Sequence, residues 1–129
     1  MELEHFQSEW GDPERCSAAV RAGDLIWTCG QLGTVPGADA IDFATEVETA
    51  LRQLLAVVED AGGNLETIVK INAYIADIDD FPVYDRVYRA VIMRQPMPPR
   101  TTVQIGRFLP PIRVEVDAVA VVNRVAGEL

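Results

Sequence analysis

Two runs of residues near the amino end have the character of β-strands. They span residues 17–21 and 25–29, and the second is rich in apolar, aromatic and β-branched side chains. The tripeptide Ala22-Gly23-Asp24 lies between them, and a Gly-Asp pair is typical of a tight turn. The pattern predicts a β-hairpin.

Residues 32–41 have the composition of a loop, and an amphipathic helix is predicted after it. Asp42 or Thr45 can cap the start of this helix, Thr45 as part of a Thr-x-x-Glu capping box, and Gly62-Gly63 supplies a left-handed stop. Apolar residues recur every three or four positions, the spacing of one buried helix face. They are Val47, Ala50, Leu51, Leu54, Val58 and Ala61.

Residues 68–76 alternate in polarity, which predicts a half-buried strand. A second helix should begin near Asp79, with Pro82 tolerated in its first turn and a proline-rich segment preventing its continuation. Two further strands follow, over residues 100–107 and 113–123. The expected buried residues are Val69, Ile71, Ala73 and Ile75 in the strand and Tyr84, Val87, Tyr88 and Val91 in the helix.

The predicted order of elements is ββαβαββ, an α+β arrangement. The 129 residues are enough for one domain, expected to span residues 1–129. Two helices cover only one face of a sheet well, so the other face must meet solvent or another subunit. We therefore expect an oligomer.

Charge and composition exclude several classes of protein. The chain has 20 acidic and 11 basic residues and a formal net charge of -9, so nucleic acid, which needs a basic surface, is not expected as a partner. Two cysteines and one histidine predict no metal site. No signal peptide and no run of about 18 apolar residues is found, which predicts a cytoplasmic protein without membrane contact.

Most catalytic sequence motifs are missing from the chain. It contains neither GxxxxGK[ST] nor GxGxxG, the motifs of phosphate and dinucleotide sites. A Ser-His-Asp triad would need His5, which lies at a terminus expected to be mobile. Lys70 could form a Schiff base, but an exposed or paired charge is the commoner role of a lysine on a strand.

Arg100 is the first candidate binding residue. Pro98 and Pro99 precede it and place it at the start of a strand, where its side chain borders a cleft. A guanidinium can hold a carboxylate by two parallel hydrogen bonds. From spacing alone, an ion pair with one of the 20 acidic residues is the simpler interpretation.

Glu115 is the second candidate. Alternation along its strand puts Arg113, Glu115 and Asp117 on one face, opposite a set of apolar residues. A carboxylate at mid-strand on a face that meets a neighbour is partly buried, which suits it to proton transfer. A cross-strand salt bridge is the alternative, and spacing does not decide between the two.

Three segments together resemble the reactive-intermediate deaminase (Rid/YjgF) family. Residues 23–32, GDLIWTCGQL, resemble the strand of that family that ends in Ser-Gly-Gln, and residues 68–81 resemble its central strand and the exit from it. Residues 98–103, PPRTTV, followed by 114–116, VEV, resemble its carboxyl-terminal signature. The similarity covers roughly residues 13–122.

The resemblance implies a fold, an assembly and an activity. The fold is the chorismate-mutase type, with two helices on one face of a mixed sheet, and the assembly is a homotrimer with sites between subunits. The activity is hydrolysis of 2-imino acids or their enamine tautomers to 2-keto acids and ammonia, without metal or cofactor. On this basis Arg100 would hold the substrate carboxylate, Glu115 would handle the attacking water, and Gly30 and Thr102 would line the pocket.

Three positions depart from the family pattern. Cys16 stands in place of a pocket tyrosine, Cys29 in place of the serine before Gly30, and Asp85 in place of an asparagine. Cys16 is expected to be a small buried residue that enlarges the substrate-binding pocket, and a reactive thiol, should it be exposed, is the alternative. The alternatives left open are a deaminase for a specialised catabolic enamine such as an aminomuconate, a non-catalytic carboxylate-binding trimer with a regulatory role, and a nuclease, which the net charge disfavours most.

Overall fold

The computed structural model describes residues 1–124, which form a mixed β-sheet with two helices packed on one face. The strands are β1 (Leu3–Phe6), β2 (Ala19–Ala22), β3 (Leu25–Thr28), β4 (Gln31–Leu32), β5 (Ile68–Ile75), β6 (Arg100–Gln104) and β7 (Val114–Val121). The helices are α1 (Phe43–Asp60) and α2 (Phe81–Val91), and short 3-10 turns precede β5 and α2.

Strand β7 lies in the middle of the sheet. The order is β1-β2-β3-β7-β5-β6, and β4 also pairs with β7. All the pairings are antiparallel except that of β5 with β6, whose parallel connection runs through α2 as such a pair requires. The predicted α+β fold with a mixed sheet is confirmed.

Helix α1 begins and ends for reasons visible in the sequence. The Asp42 carboxylate accepts a hydrogen bond from the Thr45 backbone N–H at 3.2 Å, so Asp42 is the cap and the predicted box on Thr45 does not form. Gly62 follows α1 with a φ of 104°, a backbone conformation that favours glycine.

Helix α2 buries all four residues that its spacing predicts. Neither helix, within residues 1–124, is long and apolar enough to cross a membrane.

Two short strands were not predicted. Strand β1 adds to the edge of the hairpin, with His5 opposite Val20 and the His5 ring nitrogen Nδ1 2.8 Å from the Ser17 hydroxyl. The expectation of a mobile terminus around His5 was therefore wrong, because backbone pairing with β2 holds it. Strand β4 has only two residues, too few to show alternation.

The prediction that Val69 is buried was also wrong. The pairing of β5 with β7 shifts register between Ile68 and Lys70, as a β-bulge does. The shift puts Ile68 in the core and leaves Val69 44% exposed, while Ile71 and the alternate residues after it stay buried as predicted. Lys70 donates to the Thr101 hydroxyl at 2.7 Å, the paired role expected for it.

A buried ion pair joins helix α1 to the segment that enters β7. The Glu46 side chain is fully buried and accepts hydrogen bonds from the Arg113 backbone N–H at 2.8 Å and from Arg113 Nε at 3.0 Å. Gly33, directly after β4, packs against the same turn of α1, where an added Cβ would lie 1.9 Å from the Glu46 backbone oxygen. These contacts fix α1 over β4 and β7.

Replacing Gly33 with alanine should therefore destabilise the fold. The new methyl group collides with backbone, which moves only if α1 separates from β4, so the free energy of unfolding should fall by about 3 kcal/mol, the upper part of the usual range for overpacking. Gly106→Ala is the control, since no heavy atom lies within 4 Å of a Cβ there. Urea denaturation measures both variants, and equal stabilities would contradict the close contact.

Candidate active site

Arg100 and Glu115 lie on opposite faces of the sheet. In the parallel register of β5 with β6, Arg100 is opposite Ile71, a core residue, so its side chain is on the face covered by the helices. Glu115 is opposite Tyr74 and next to the buried Val114 along β7, which puts it on the open face. Strand β5 also lies between their strands. Within one chain the two candidates do not come together.

The Arg100 guanidinium is held between strand β6 and helix α2. Arg100 Nη2 donates to Asp85 Oδ1 at 2.5 Å, and Arg100 Cζ lies 4.6 Å from the ring centroid of Tyr88 and 5.5 Å from that of Phe81. The bond from Arg100 holds the pKa of the Asp85 carboxyl below its usual range. Arg100 thus forms the ion pair with an acidic residue that spacing alone favoured. The two aromatic rings restrict the orientation of its guanidinium.

Unpaired polar atoms are concentrated around this guanidinium. Within residues 1–124, the buried side-chain nitrogen and oxygen atoms without a hydrogen-bond partner are Tyr84 Oη, Tyr88 Oη, Arg100 Nη1 and Thr102 Oγ1. Buried polar atoms are usually paired, and a concentration of exceptions is typical of a functional site.

Glu115 is placed by a β-bulge on the neighbouring strands. Between Trp27 and Gln31, which both pair with β7, the chain has one residue more than β7 has opposite it. The extra length brings Gly30 beneath the Glu115 side chain, where an added Cβ would lie 2.3 Å from Glu115 Oε2. Glycine at position 30 is therefore what leaves room for this carboxylate.

The surroundings of Glu115 favour its protonated form. Partial burial raises the pKa of the Glu115 carboxyl, and the charge of Asp117, two residues along β7, raises it further. Asp117 accepts a hydrogen bond from Asn72 Nδ2 at 2.9 Å. Among residues 1–124, Glu115 forms no salt bridge, so the cross-strand pair considered for it is not observed.

A cavity of about 360 Å³ lies beside this bulge. Its lining includes Cys16, Cys29 and Gly30, together with Trp10, whose indole N–H donates to Gln31 Oε1 at 2.6 Å. Burial raises the pKa of the Cys29 thiol to about 11, and the neighbouring Cys16 thiol adds to the shift. Cys16 itself is exposed, so the prediction of a buried cysteine was wrong: it lies in the loop before β2, at the edge of the cavity.

The predicted site residues thus form two groups. Cys16, Gly30 and Glu115 are brought together at the bulge, and Arg100 and Thr102 are brought together under α2. Sequence reasoning had noted Asp85 only as a departure from the family pattern and had not linked it to Arg100. Trp10 was not identified as a cavity residue, and no sequence signal pointed to it. No three His, Cys, Asp or Glu side chains of the described residues are grouped as metal ligands would be.

Comparison with known proteins identifies the family. Residues 12–122 match the family model described as Endoribonuclease L-PSP. The mitochondrial protein mmf2 of Schizosaccharomyces pombe is 36% identical over 95 residues, which cover 70% of this chain and 71% of that protein. The 2-iminobutanoate/2-iminopropanoate deaminase of Escherichia coli (strain K12) is 30% identical over 106 residues, covering 79% of this chain and 83% of that protein.

A solved structure agrees with the fold. NMB1025 of Neisseria meningitidis, a member of the YjgF protein family, has a TM-score of 0.82 at 23% identity, covering 97% of this chain and 98% of that one. The resemblance read from the three sequence segments is therefore confirmed, and the chain belongs to the Rid/YjgF family.

Proposed function

We propose that this protein is an imine deaminase that hydrolyses 2-imino acids or their enamine tautomers to 2-keto acids and ammonia. Relatives named 2-iminobutanoate/2-iminopropanoate deaminase, at about 30% identity, support the reaction class. The observation that carries the proposal is the position of Glu115: a partly buried carboxylate with a raised pKa, held over Gly30 beside a cavity. A carboxylate whose pKa is raised is a stronger base than an ordinary one, which suits it to take a proton from water.

The proposed chemistry needs one binding group and one proton carrier. Arg100 holds the substrate carboxylate, and Glu115 takes a proton from the water whose oxygen attacks the imine carbon. The electron pair of the C=N bond moves to nitrogen, which then receives the proton from Glu115. Glu115 then takes the hydroxyl proton of the tetrahedral intermediate and passes it to the nitrogen, so that the C–N bond breaks as the C=O bond forms and ammonia leaves. An imine is already activated, so positioning and one carboxylate that relays a proton in each of the two steps suffice.

In this proposal the complete site needs two subunits. Arg100 and Glu115 lie on opposite faces of one sheet, and Arg100 belongs to β6, an edge strand that a neighbouring chain can approach. The open face of the sheet also exposes apolar side chains, with Leu25 42%, Trp27 43% and Val103 42% exposed. A homotrimer, as the family resemblance implies, would cover these residues and bring Arg100 of one chain to Glu115 of the next.

The wide cavity at Cys16 supports one variant of this function. A substrate larger than 2-iminopropanoate, such as a specialised catabolic enamine, would use the space that a tyrosine fills in the family pattern. The net charge of -9 gives no support to an RNA substrate. A cytoplasmic location stays a prediction from the sequence.

Arg100→Ala should abolish the activity. An amino-acid oxidase generates 2-imino acids in the assay, and the rate of 2-keto acid release should be accelerated by the wild type and reduced at least about 100-fold in the variant, as expected when a substrate loses its positioning contact. Arg107→Ala, which removes the same charge from the exposed loop after β6, is the control and should keep its activity.

Full activity of Arg100→Ala would remove this residue from the mechanism. Binding of 2-keto acids without acceleration of any imine hydrolysis, by a folded wild type, would instead favour the non-catalytic carboxylate-binding protein. Thermal unfolding of each variant distinguishes loss of function from loss of fold.

The pH dependence should report Glu115. Because Glu115 acts as a base, kcat/KM should fall as the pH drops through its raised pKa. Asp117→Asn removes the neighbouring negative charge, which lowers the Glu115 pKa and moves the acid limb of the profile to lower pH. Asp39→Asn, which removes an exposed acid from the loop before α1, should leave the limb in place, and an unmoved limb in Asp117→Asn would contradict the assigned role.

Cys16→Tyr tests whether the cavity binds substrate. The phenol would fill part of the space beside Gly30, so the ratio of kcat/KM for aromatic over small aliphatic imino acids should fall by roughly tenfold, the effect of lost apolar contact in a pocket. Cys16→Ser keeps the side-chain size and should preserve the ratio. A ratio that is equal in both variants would place Cys16 outside the substrate site.

A further inference from the structure

The Arg100 guanidinium is already bound to a carboxylate of its own chain. The 2.5 Å contact between Arg100 Nη2 and Asp85 Oδ1 joins two partly buried side chains, which are 29% and 22% exposed. Asp85 Oδ2 also forms a salt bridge with Nε of Arg89, one turn along α2, at 3.1 Å. Arg100 Nη1 is buried and has no hydrogen-bond partner.

A substrate carboxylate at Arg100 must therefore compete with Asp85. The bond from Arg100 keeps the Asp85 pKa low, so Asp85 is negatively charged near neutral pH. Two carboxylates around one guanidinium repel each other, and the repulsion is stronger in a partly buried site than in water. A neutral group of the same shape, such as a carboxamide, avoids this repulsion and offers N–H donors to an Asp85 oxygen.

The aromatic packing makes the competition hard to avoid. The guanidinium stacks on Tyr88 and lies near Phe81, so it cannot turn freely from Asp85 to another partner. Arg89, the other partner of Asp85, has a side chain that is 67% exposed, and a contact in that setting neutralises the carboxylate only weakly.

We propose that Asp85 is a specificity-determining residue, which weakens binding of carboxylate anions at Arg100 and shifts the site towards substrates that carry a neutral group, of the carboxamide class, at this point. The proposal rests on the proposed function, since it takes Arg100 as the group that holds the substrate. It refines that function: Arg100 still holds the carboxylate of a 2-imino acid, but less tightly than it would without Asp85, and an imine with a carboxamide at this point is held better. It concerns binding and does not require turnover.

The test compares one anionic and one neutral probe of nearly the same shape, pyruvate and pyruvamide. Titration calorimetry measures their dissociation constants with the full-length wild type and with Asp85→Asn, an isosteric change that removes only the charge. Pyruvate should bind Asp85→Asn roughly tenfold more tightly than it binds the wild type, as expected for loss of a like charge from a partly exposed site. The affinity for pyruvamide should stay the same or fall.

Asp39→Asn is the matched control for net charge. Asp39 is exposed in the loop before α1 and forms no salt bridge among the described residues, so its removal should change both affinities by less than about threefold. Adding Arg100→Ala to Asp85→Asn should abolish the gain in affinity, so that the double variant binds pyruvate no more tightly than the wild type does.

Several results would overturn the proposal. They are an unchanged or weakened affinity of Asp85→Asn for pyruvate, an equal gain for pyruvamide, an equal gain in Asp39→Asn, and no binding of either probe to any form. Failure of the deaminase proposal looks different, because a selective gain for pyruvate without hydrolysis of any imine would keep the role of Asp85 and reject the activity.

Discussion

The two-residue repeat of a β-strand determines where each group of the candidate site lies. Strand β7 pairs with β3 and β4 on one side and β5 on the other, and its alternate residues are buried under the helices from Val114 to Ala120. Glu115 must therefore face the open side of the sheet. Arg100, opposite the core residue Ile71, must face the helices. No rotamer change brings these side chains together in one chain, so the family reaction, if this chain performs it, depends on association.

The same sheet explains why the site residues belong to such different local structures. Glu115 needs space on a densely paired strand, and the bulge at Cys29 and Gly30 provides it by removing a side chain from beneath the carboxylate. Arg100 needs a fixed orientation at an edge strand, where β6 has only one neighbour, and helix α2 provides it through Asp85 and Tyr88. In the proposed mechanism, a central strand thus holds the proton carrier and an edge strand holds the binding group.

The sequence predicted the parts of the fold that repeat over many residues. Helix α2 shows four apolar positions at helical spacing, and all four are buried. Short or local features were missed: the four-residue β1, the two-residue β4, and the register shift that exposes Val69. These features depend on which strand pairs with which, and the periodicity of a single strand carries no information about its partner. The paired role of Arg100 could be anticipated in kind, but its partner could not, because the choice among 20 acidic residues depends on how α2 docks.

The ion pair of Arg100 with Asp85 gives a physical reason why membership of the family does not by itself define the substrate. In the proposed function the fold, the bulge glycine, the arginine and the glutamate serve the reaction itself, and none of them distinguishes one imine from another. In the role proposed for Asp85, a carboxylate 2.5 Å from the guanidinium distinguishes between them, because it changes the charge that an incoming group meets without moving the arginine. In the function proposed for the chain, the exposed Cys16 beside a cavity of about 360 Å³ changes the size of substrate that the other half of the site accepts. The two proposals thus assign the choice of substrate to positions that depart from the family pattern, one through charge and the other through volume, and the reaction to positions that follow it.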